Sequence, residues 1–262
     1  MRDLEGRVAL ITGGSEGIGL ATASLLARRG ALVVICARRP DALEAARATI
    51  AGEGGKVEAH QLDVTDYDAY AALVADVAER HGRLDMLVNN AMSTHYAPIS
   101  HLTLEHWRKD FAVNAEAVFI GTKAAMNVMA KAAPGANGIR GTIVNVSSTC
   151  GIRAAPMMAS YSASKAALIQ FTAVAAMEGA AQGIRVNAIV PGQVMTPATV
   201  DYNTRAPDAA QRTTDAIPMG RGGEPLELAE AIVFMLSDAA SYITGVALPV
   251  DGGKAAQLYI PS

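Results

Sequence analysis

Short apolar runs recur along the chain, and nearly every one is followed by a stretch of helical spacing. Residues 8–11 run apolar until Thr12-Gly13-Gly14 stops them, and helical spacing follows over 17–29. The same alternation predicts strands at 32–37, 57–62, 84–88, 142–146, 185–190 and 246–250. The intervening helices are predicted at 40–50, 66–80, 103–132, 159–181 and 225–236. The strand segments are continuously apolar rather than alternating, so each must be covered on both faces. Strand–helix alternation dictates parallel pairing with right-handed crossovers. The pattern therefore predicts an α/β fold, a Rossmann-type doubly wound parallel sheet of about seven strands in a single domain over 1–262. Ligands bind such sheets beyond the carboxyl ends of the strands.

Two segments match no regular element. One is the Gly- and Pro-containing loop 133–140. The other is 196–221, polar and broken by Pro197, Pro207 and Pro218, which is expected to be a mobile substrate-binding lid.

Composition narrows the function classes. Hydrophobic residues make up 51% and charged residues 18%, so the chain can build a full core and is not a disordered polymer. A net charge of −3 argues against nucleic-acid and anionic-membrane partners. The longest apolar run, 31–37, is far too short to span a bilayer, and the N-terminus carries no signal-like stretch. Two cysteines, Cys36 and Cys150, make no disulfide framework, so a reducing, cytoplasmic setting is expected. The five histidines lack ligand spacing and no metal is expected. His101 and His106 read as surface residues. His95, just beyond the fourth strand, is expected to face a substrate.

Candidate chemistry begins after the first strand, at Gly13-Gly14-Ser15-Glu16-Gly17-Ile18-Gly19. Glycines let backbone approach a pyrophosphate closely, and a helix opening near Gly17 aims free N–H groups at that anion. The expected cradle comprises Gly13, Ser15, Glu16, Gly17, Ile18 and Gly19. No Gly-Lys-Ser/Thr follows, which excludes a nucleotide triphosphatase loop. At the end of the second strand, where an NAD site holds an acid roughly 20 residues on, stand Arg38 and Arg39 instead. Guanidinium suits a 2′-phosphate, which points to NADP(H). Glu16 would repel that phosphate, so NAD(H) stays as the alternative. Asp63 and Val64 after the third strand, and Asn90 and Ala91 after the fourth, fall where the adenine side and the middle of a dinucleotide would lie.

Tyr161 and Lys165 stand four apart and share one helix face. A phenol titrates near 10, too high for proton transfer at neutral pH, and an adjacent ammonium lowers it. Tyr161 can then protonate a carbonyl oxygen or deprotonate an alcohol. Ser148, beyond the fifth strand, can hydrogen-bond the same oxygen. Asn114, inside the long fourth helix, is placed to hold a water joining Lys165 to solvent. Met158 and Met157, just before the tyrosine, can line an apolar pocket.

These motifs in this order resemble the short-chain dehydrogenase/reductase family, single-domain branch, from Gly6 to Gly253. The resemblance rests on Thr12-Gly13…Gly17…Gly19, Asn89-Asn90-Ala91, Asn114, Ser147-Ser148, Tyr161…Lys165, Pro191-Gly192…Thr196-Pro197 and Asp251-Gly252-Gly253. It implies a catalytic tetrad of Asn114, Ser148, Tyr161 and Lys165, with Lys165 also on the nicotinamide ribose. It implies that Pro191, Gly192, Val194 and Thr196 belong to the cofactor site, the stretch 194–196 holding the carboxamide. Ser148, Tyr161, His95 and Met158 form the expected substrate set. The implied activity is NADP(H)-dependent interconversion of a ketone and a secondary alcohol. The alternatives are a 3-oxoacyl-thioester (acyl-carrier-protein) reductase, an NAD-dependent alcohol dehydrogenase and a non-catalytic nucleotide sensor. A homotetramer is implied as well, with the tail 254–262 lying against a neighbouring subunit. Two departures stand out: Met92 replaces the glycine usual after Asn-Asn-Ala, and Glu16 stands where NADP-preferring members often carry a base.

Overall fold

A computed structural model describes residues 3–135 and 137–257; Leu258, Tyr259 and Ile260 of the tail lie outside them. Seven parallel strands form one sheet: β1 (Val8–Thr12), β2 (Leu32–Ala37), β3 (Lys56–Gln61), β4 (Met86–Asn89), β5 (Gly141–Val146), β6 (Ile184–Pro191) and β7 (Ala247–Val250). Their order is β3-β2-β1-β4-β5-β6-β7, so the order reverses between β1 and β4. That switch point opens a crevice at the carboxyl edge.

Alternate residues of each central strand feed different cores. Ala9 and Ile11 of β1 pack with α1 (Gly17–Arg28), α2 (Pro40–Gly52) and α9 (Pro225–Leu236). Val8 and Leu10 pack on the other face with α3 (Tyr67–His81), α5 (Ala117–Met129) and α6 (Ala159–Ala180). Burial on both faces is why these strands read as unbroken apolar runs. Small residues set the spacing of the helices. A Cβ at Gly121 of α5 would sit 2.3 Å from the Tyr70 hydroxyl of α3, so only glycine admits that ring. The Tyr70 hydroxyl donates to Asn89 Oδ1 at 2.7 Å. Asn89 Nδ2 donates to Asn145 Oδ1 at 2.8 Å, and Asn145 Nδ2 to Thr172 Oγ1 at 2.9 Å. This buried chain ties α3, β4, β5 and α6 together and satisfies each amide without water.

The structure corrects two expectations. The helix expected over 103–132 is α4 (Leu104–Phe111) and α5, separated by a π turn at Ala112–Glu116 that contains Asn114. Such turns insert an extra residue and re-aim the side chains beside them. The segment 196–221 is not irregular either. It holds α7 (Pro197–Arg205) and α8 (Pro207–Asp215), each with a proline at its first position. Proline there lacks only an N–H that the helix leaves unbonded anyway, so these prolines start helices rather than break them.

Candidate active site

The crevice beyond β1, β4, β5 and β6 is a cleft of about 600 Å³, the size of a cofactor site. Gly13, Ser15, Glu16, Gly17 and Ile18 line one end, with Arg38, Arg39, Asp63 and Val64 beside them. Asn90, Ala91, Ser148, Tyr161, Lys165, Pro191, Gly192, Val194 and Thr196 line the rest. Met92, Val113, Ser147 and Thr199 also line it. Sequence reasoning missed Val113 and Thr199, whereas Met92 was noted as a departure from the motif and Ser147 as part of one. Gly19, Asn114, His95 and Met158 are not on its wall.

The cradle is held from beneath. Thr12 Oγ1 accepts from the Asn90 and Ala91 N–H groups at 2.9 and 3.0 Å. Asn90 Nδ2 donates to the Thr12 and Gly13 carbonyls at 3.0 and 3.1 Å. Gly19 acts behind the wall: a Cβ there would lie 2.2 Å from the Gly13 carbonyl oxygen, which would push the loop into the cleft. The first turn of α1 carries no acidic residue, and Glu16 at its N-cap makes no capping hydrogen bond. The helix end is therefore left to an anion. Glu16 instead pairs with Arg39. Asp63 keeps a lowered pKa: burial opposes this, but hydrogen bonds from the Thr65 N–H and hydroxyl and the nearby Arg38 prevail. These features fit a dinucleotide with its pyrophosphate at the α1 end and its adenosine near Arg38.

The opposite end holds the polar side chains. Lys165 is 2% exposed, and its Nζ donates to the Val146 carbonyl at 2.8 Å, which anchors it to the end of β5. It lies 5.7 Å from the centre of the Tyr161 ring. Burial drives its pKa down to about 7, with Asp110 opposing. Burial pushes the Tyr161 phenol the other way, upward, and the adjacent Ser148 hydroxyl offsets part of that. Contrary to the expected lowering by Lys165, burial leaves the phenol above its ordinary value in the protein alone. Ser148 caps the turn Thr149–Gly151, its Oγ accepting from the Cys150 N–H at 3.2 Å.

Asn114 is fully buried, and its amide is engaged by protein. Nδ2 donates to the Ser93 carbonyl at 2.8 Å and to Ser164 Oγ at 3.0 Å, while Oδ1 accepts from the Ser93 N–H at 2.9 Å. It ties the loop after β4 to α6. His95 is also tied down: its Nδ1 lies 2.7 Å from Asp110 Oδ1, and its ring stacks on His106 at 4.3 Å. His106 is accordingly half-buried. Met158 touches Cys150, sulfur to sulfur at 3.9 Å, and bridges to Ala97. Met157, alone among the described non-glycine residues, has a positive φ, 69°. Met92 on the cleft wall, and Tyr96 and Met157 off it, are half or more exposed. Among the described residues no His, Cys, Asp and Glu cluster could hold a metal, and no helix is long and apolar enough to cross a membrane.

Comparison with known proteins agrees with this geometry. A family model described as enoyl-(acyl carrier protein) reductase matches residues 13–255. The 2,5-dichloro-2,5-cyclohexadiene-1,4-diol dehydrogenase LinX of Sphingobium indicum is 40% identical over 250 residues, covering 95% of this chain and 96% of its own. The 3-oxoacyl-[acyl-carrier-protein] reductase FabG of Thermotoga maritima is 40% identical, with 95% and 98% covered. A Beutenbergia cavernae structure, described as an NAD(P)-dependent gluconate 5-dehydrogenase with bound NADP, superposes with a TM-score of 0.90 at 36% identity, covering 98% and 99%. An NAD+-bound xylitol dehydrogenase superposes with a TM-score of 0.89 at 32% identity, covering 95% and 99%. Fold, cleft and whole-length similarity together place the chain in the short-chain dehydrogenase/reductase family of nicotinamide-dependent oxidoreductases.

Proposed function

We propose that this chain interconverts a compact, apolar ketone and the matching secondary alcohol with NADP(H), Tyr161 serving as general acid and base. The observation that carries the reading is the buried Tyr161–Lys165 pair beside Ser148 in one cleft with the phosphate cradle. When bound, the nicotinamide exchanges the hydride and, oxidised, adds positive charge near the phenol. Tyr161 holds the proton that a reduced carbonyl oxygen takes up, and its burial keeps the phenol protonated for that direction. In the oxidising direction the alcohol proton returns to Tyr161. Lys165, as an ammonium, favours the phenolate this requires. Ser148 fixes the reacting oxygen against the phenol. Asn114 holds the loop after β4 at its distance from α6. Val194 and Thr196 flank the nicotinamide end, and 196–221 closes over the substrate as a helical lid.

Arg38 and Arg39 support NADP(H). Glu16 pairs with Arg39, so these two charges offset each other and Arg38 is left to meet the phosphate. The exposed Met92 on the cleft wall favours an uncharged substrate, and the LinX similarity, a dehydrogenase of a ring diol, favours a cyclic one. The similarity to FabG supports a second reading, reduction of a 3-oxoacyl thioester. A homo-oligomer, a tetramer on the family pattern, is supported by exposed Phe119 on α5 and Val174 and Met177 on α6. Two unpaired cysteines support a cytoplasmic setting.

The test is initial rates with NADP+ and NAD+ across cyclic and linear secondary alcohols, with the matching ketones and acetoacetyl thioester in reverse. The expected result is highest kcat/KM with NADP(H) and a cyclic substrate. Preference for NAD(H) would overturn the Arg38 and Arg39 reading. Preference for the thioester would establish the second reading. Tight NADPH binding without turnover would mark a nucleotide sensor.

A further inference from the structure

Asp110 takes no part in the proposed chemistry, yet it is fully buried beside it. It stands near the end of α4, and its carboxylate accepts three hydrogen bonds. Ser93 Oγ at 2.8 Å and His95 Nδ1 at 2.7 Å donate to Oδ1, and Ser160 Oγ at 2.5 Å donates to Oδ2. Ser93 and His95 belong to the loop after β4, directly behind Met92, which lines the cleft. Ser160 belongs to the first turn of α6, immediately before Tyr161. Ser93 is held again through its own N–H and carbonyl by Asn114. One carboxylate therefore joins the substrate loop to the turn that carries the phenol.

Burying a carboxylate is costly unless charge-assisted hydrogen bonds offset it, and three donors do so here. A neutral amide could not accept from all three donors on two equivalent oxygens. The groups facing Asp110 are Ser93 and His95 from the loop and Ser160 from α6. Lys165 and Tyr161 lie close enough to feel its charge, and His106, one turn earlier on α4, backs His95. We propose that Asp110 is a positioning residue, which through His95, Ser93 and Ser160 fixes the substrate loop 93–95 at its working distance from Tyr161. Asp110 itself does not line the cleft. The inference rests on Tyr161 being the proton-transfer group. Its negative charge also favours the protonated forms of Lys165 and Tyr161.

The test compares Asp110→Asn, His95→Leu and His95→Asn with the unaltered protein. Amide hydrogen exchange over 92–97 and 158–162 reads the clamp without any substrate. NADPH Kd reads the cofactor half of the cleft, and the pH profile of kcat/KM reads the chemistry. For Asp110→Asn, exchange in both segments should quicken at least tenfold, with NADPH Kd within threefold. In the same variant kcat/KM should fall at least tenfold, with its pH profile moved to lower pH, since removing a buried negative charge disfavours both protonated groups. His95→Asn, whose side-chain NH2 takes the place of ring Nδ1, should recover much of what His95→Leu loses. Unchanged exchange in either segment would overturn the inference. So would a rate loss matched by weaker NADPH binding, with no movement of the pH profile. If Asp110→Asn does not fold, the His95 pair decides by the same readings. Full activity in Tyr161→Phe would instead overturn the proposed reaction, and would leave the exchange result to judge the clamp on its own.

Discussion

Replacing Lys165 by Met should stabilise the protein at neutral pH in the absence of cofactor. The ammonium is 2% exposed, and burial holds its pKa at about 7. In the unfolded chain a lysine titrates near 10.4. Between those values the unfolded state binds the extra proton, so stability rises with pH across that window and the cost is fully present below about 7. At ~1.4 kcal/mol per pH unit, the wild-type cost is about 4 kcal/mol at pH 7 and under about 1 kcal/mol at pH 10. The methionine forfeits the hydrogen bond to the Val146 carbonyl and leaves that acceptor unpaired, about 1–2 kcal/mol. Lys165→Met should therefore be more stable by about 2–3 kcal/mol at pH 7 and less stable by about 1 kcal/mol at pH 10, with the two curves crossing near pH 9. Denaturant unfolding of both cofactor-free proteins at unit pH steps measures this, and other titrating groups cancel in the difference. A gap that does not change with pH, or a variant less stable at pH 7, would refute the claim that burial holds the pKa of this lysine far below that of a free one. The variant should at the same time lose catalysis, which would separate a stability cost from a functional need.

Gly19→Ala should weaken NADPH binding at least about tenfold by titration, because its Cβ would meet the Gly13 carbonyl at 2.2 Å and Asn90 Nδ2 at 2.6 Å and displace the cradle. Gly121→Ala should cost about 1–3 kcal/mol in denaturant unfolding, since α5 must shift from the buried Tyr70 ring, while KM for NADPH stays near the wild-type value. Arg38→Ala should raise the NADPH Kd about tenfold or more and leave NADH unchanged, as loss of one charge-assisted hydrogen bond to a 2′-phosphate would. Equal effects on the two cofactors would refute that role.

Much of the fold is legible because its cause is local. Strands buried on both faces must be largely apolar, so β1, β2, β4, β5 and β6 announce themselves despite the buried Asn89, Asn145, Arg185 and Asn187. Glycine positions and the Tyr161–Lys165 spacing likewise encode geometry in the residues themselves. What escapes is decided by partners distant in sequence. Nothing around Asn114 marks a π turn, and its partners Ser93 and Ser164 are distant in sequence. Prolines 197 and 207 read as breakers until each is seen at a helix start. Asp110 looks like any surface acid of an amphipathic helix, and only the fold brings Ser93, His95 and Ser160 onto it. The pairing of Glu16 with Arg39 is also invisible, since the two come from different βα turns. The electrostatic reading of Tyr161 failed in one respect for the same reason: spacing gives the distance to Lys165 but not the depth of burial of either group.

The most direct test of the account is Tyr161→Phe, measured for NADPH Kd and for single-turnover hydride transfer with the best ketone of the panel. Ring packing is preserved and only the hydroxyl is lost, so binding should stay within about twofold while transfer slows by about a hundredfold to ten-thousandfold. Transfer at the wild-type rate, with NADPH bound normally, would contradict it.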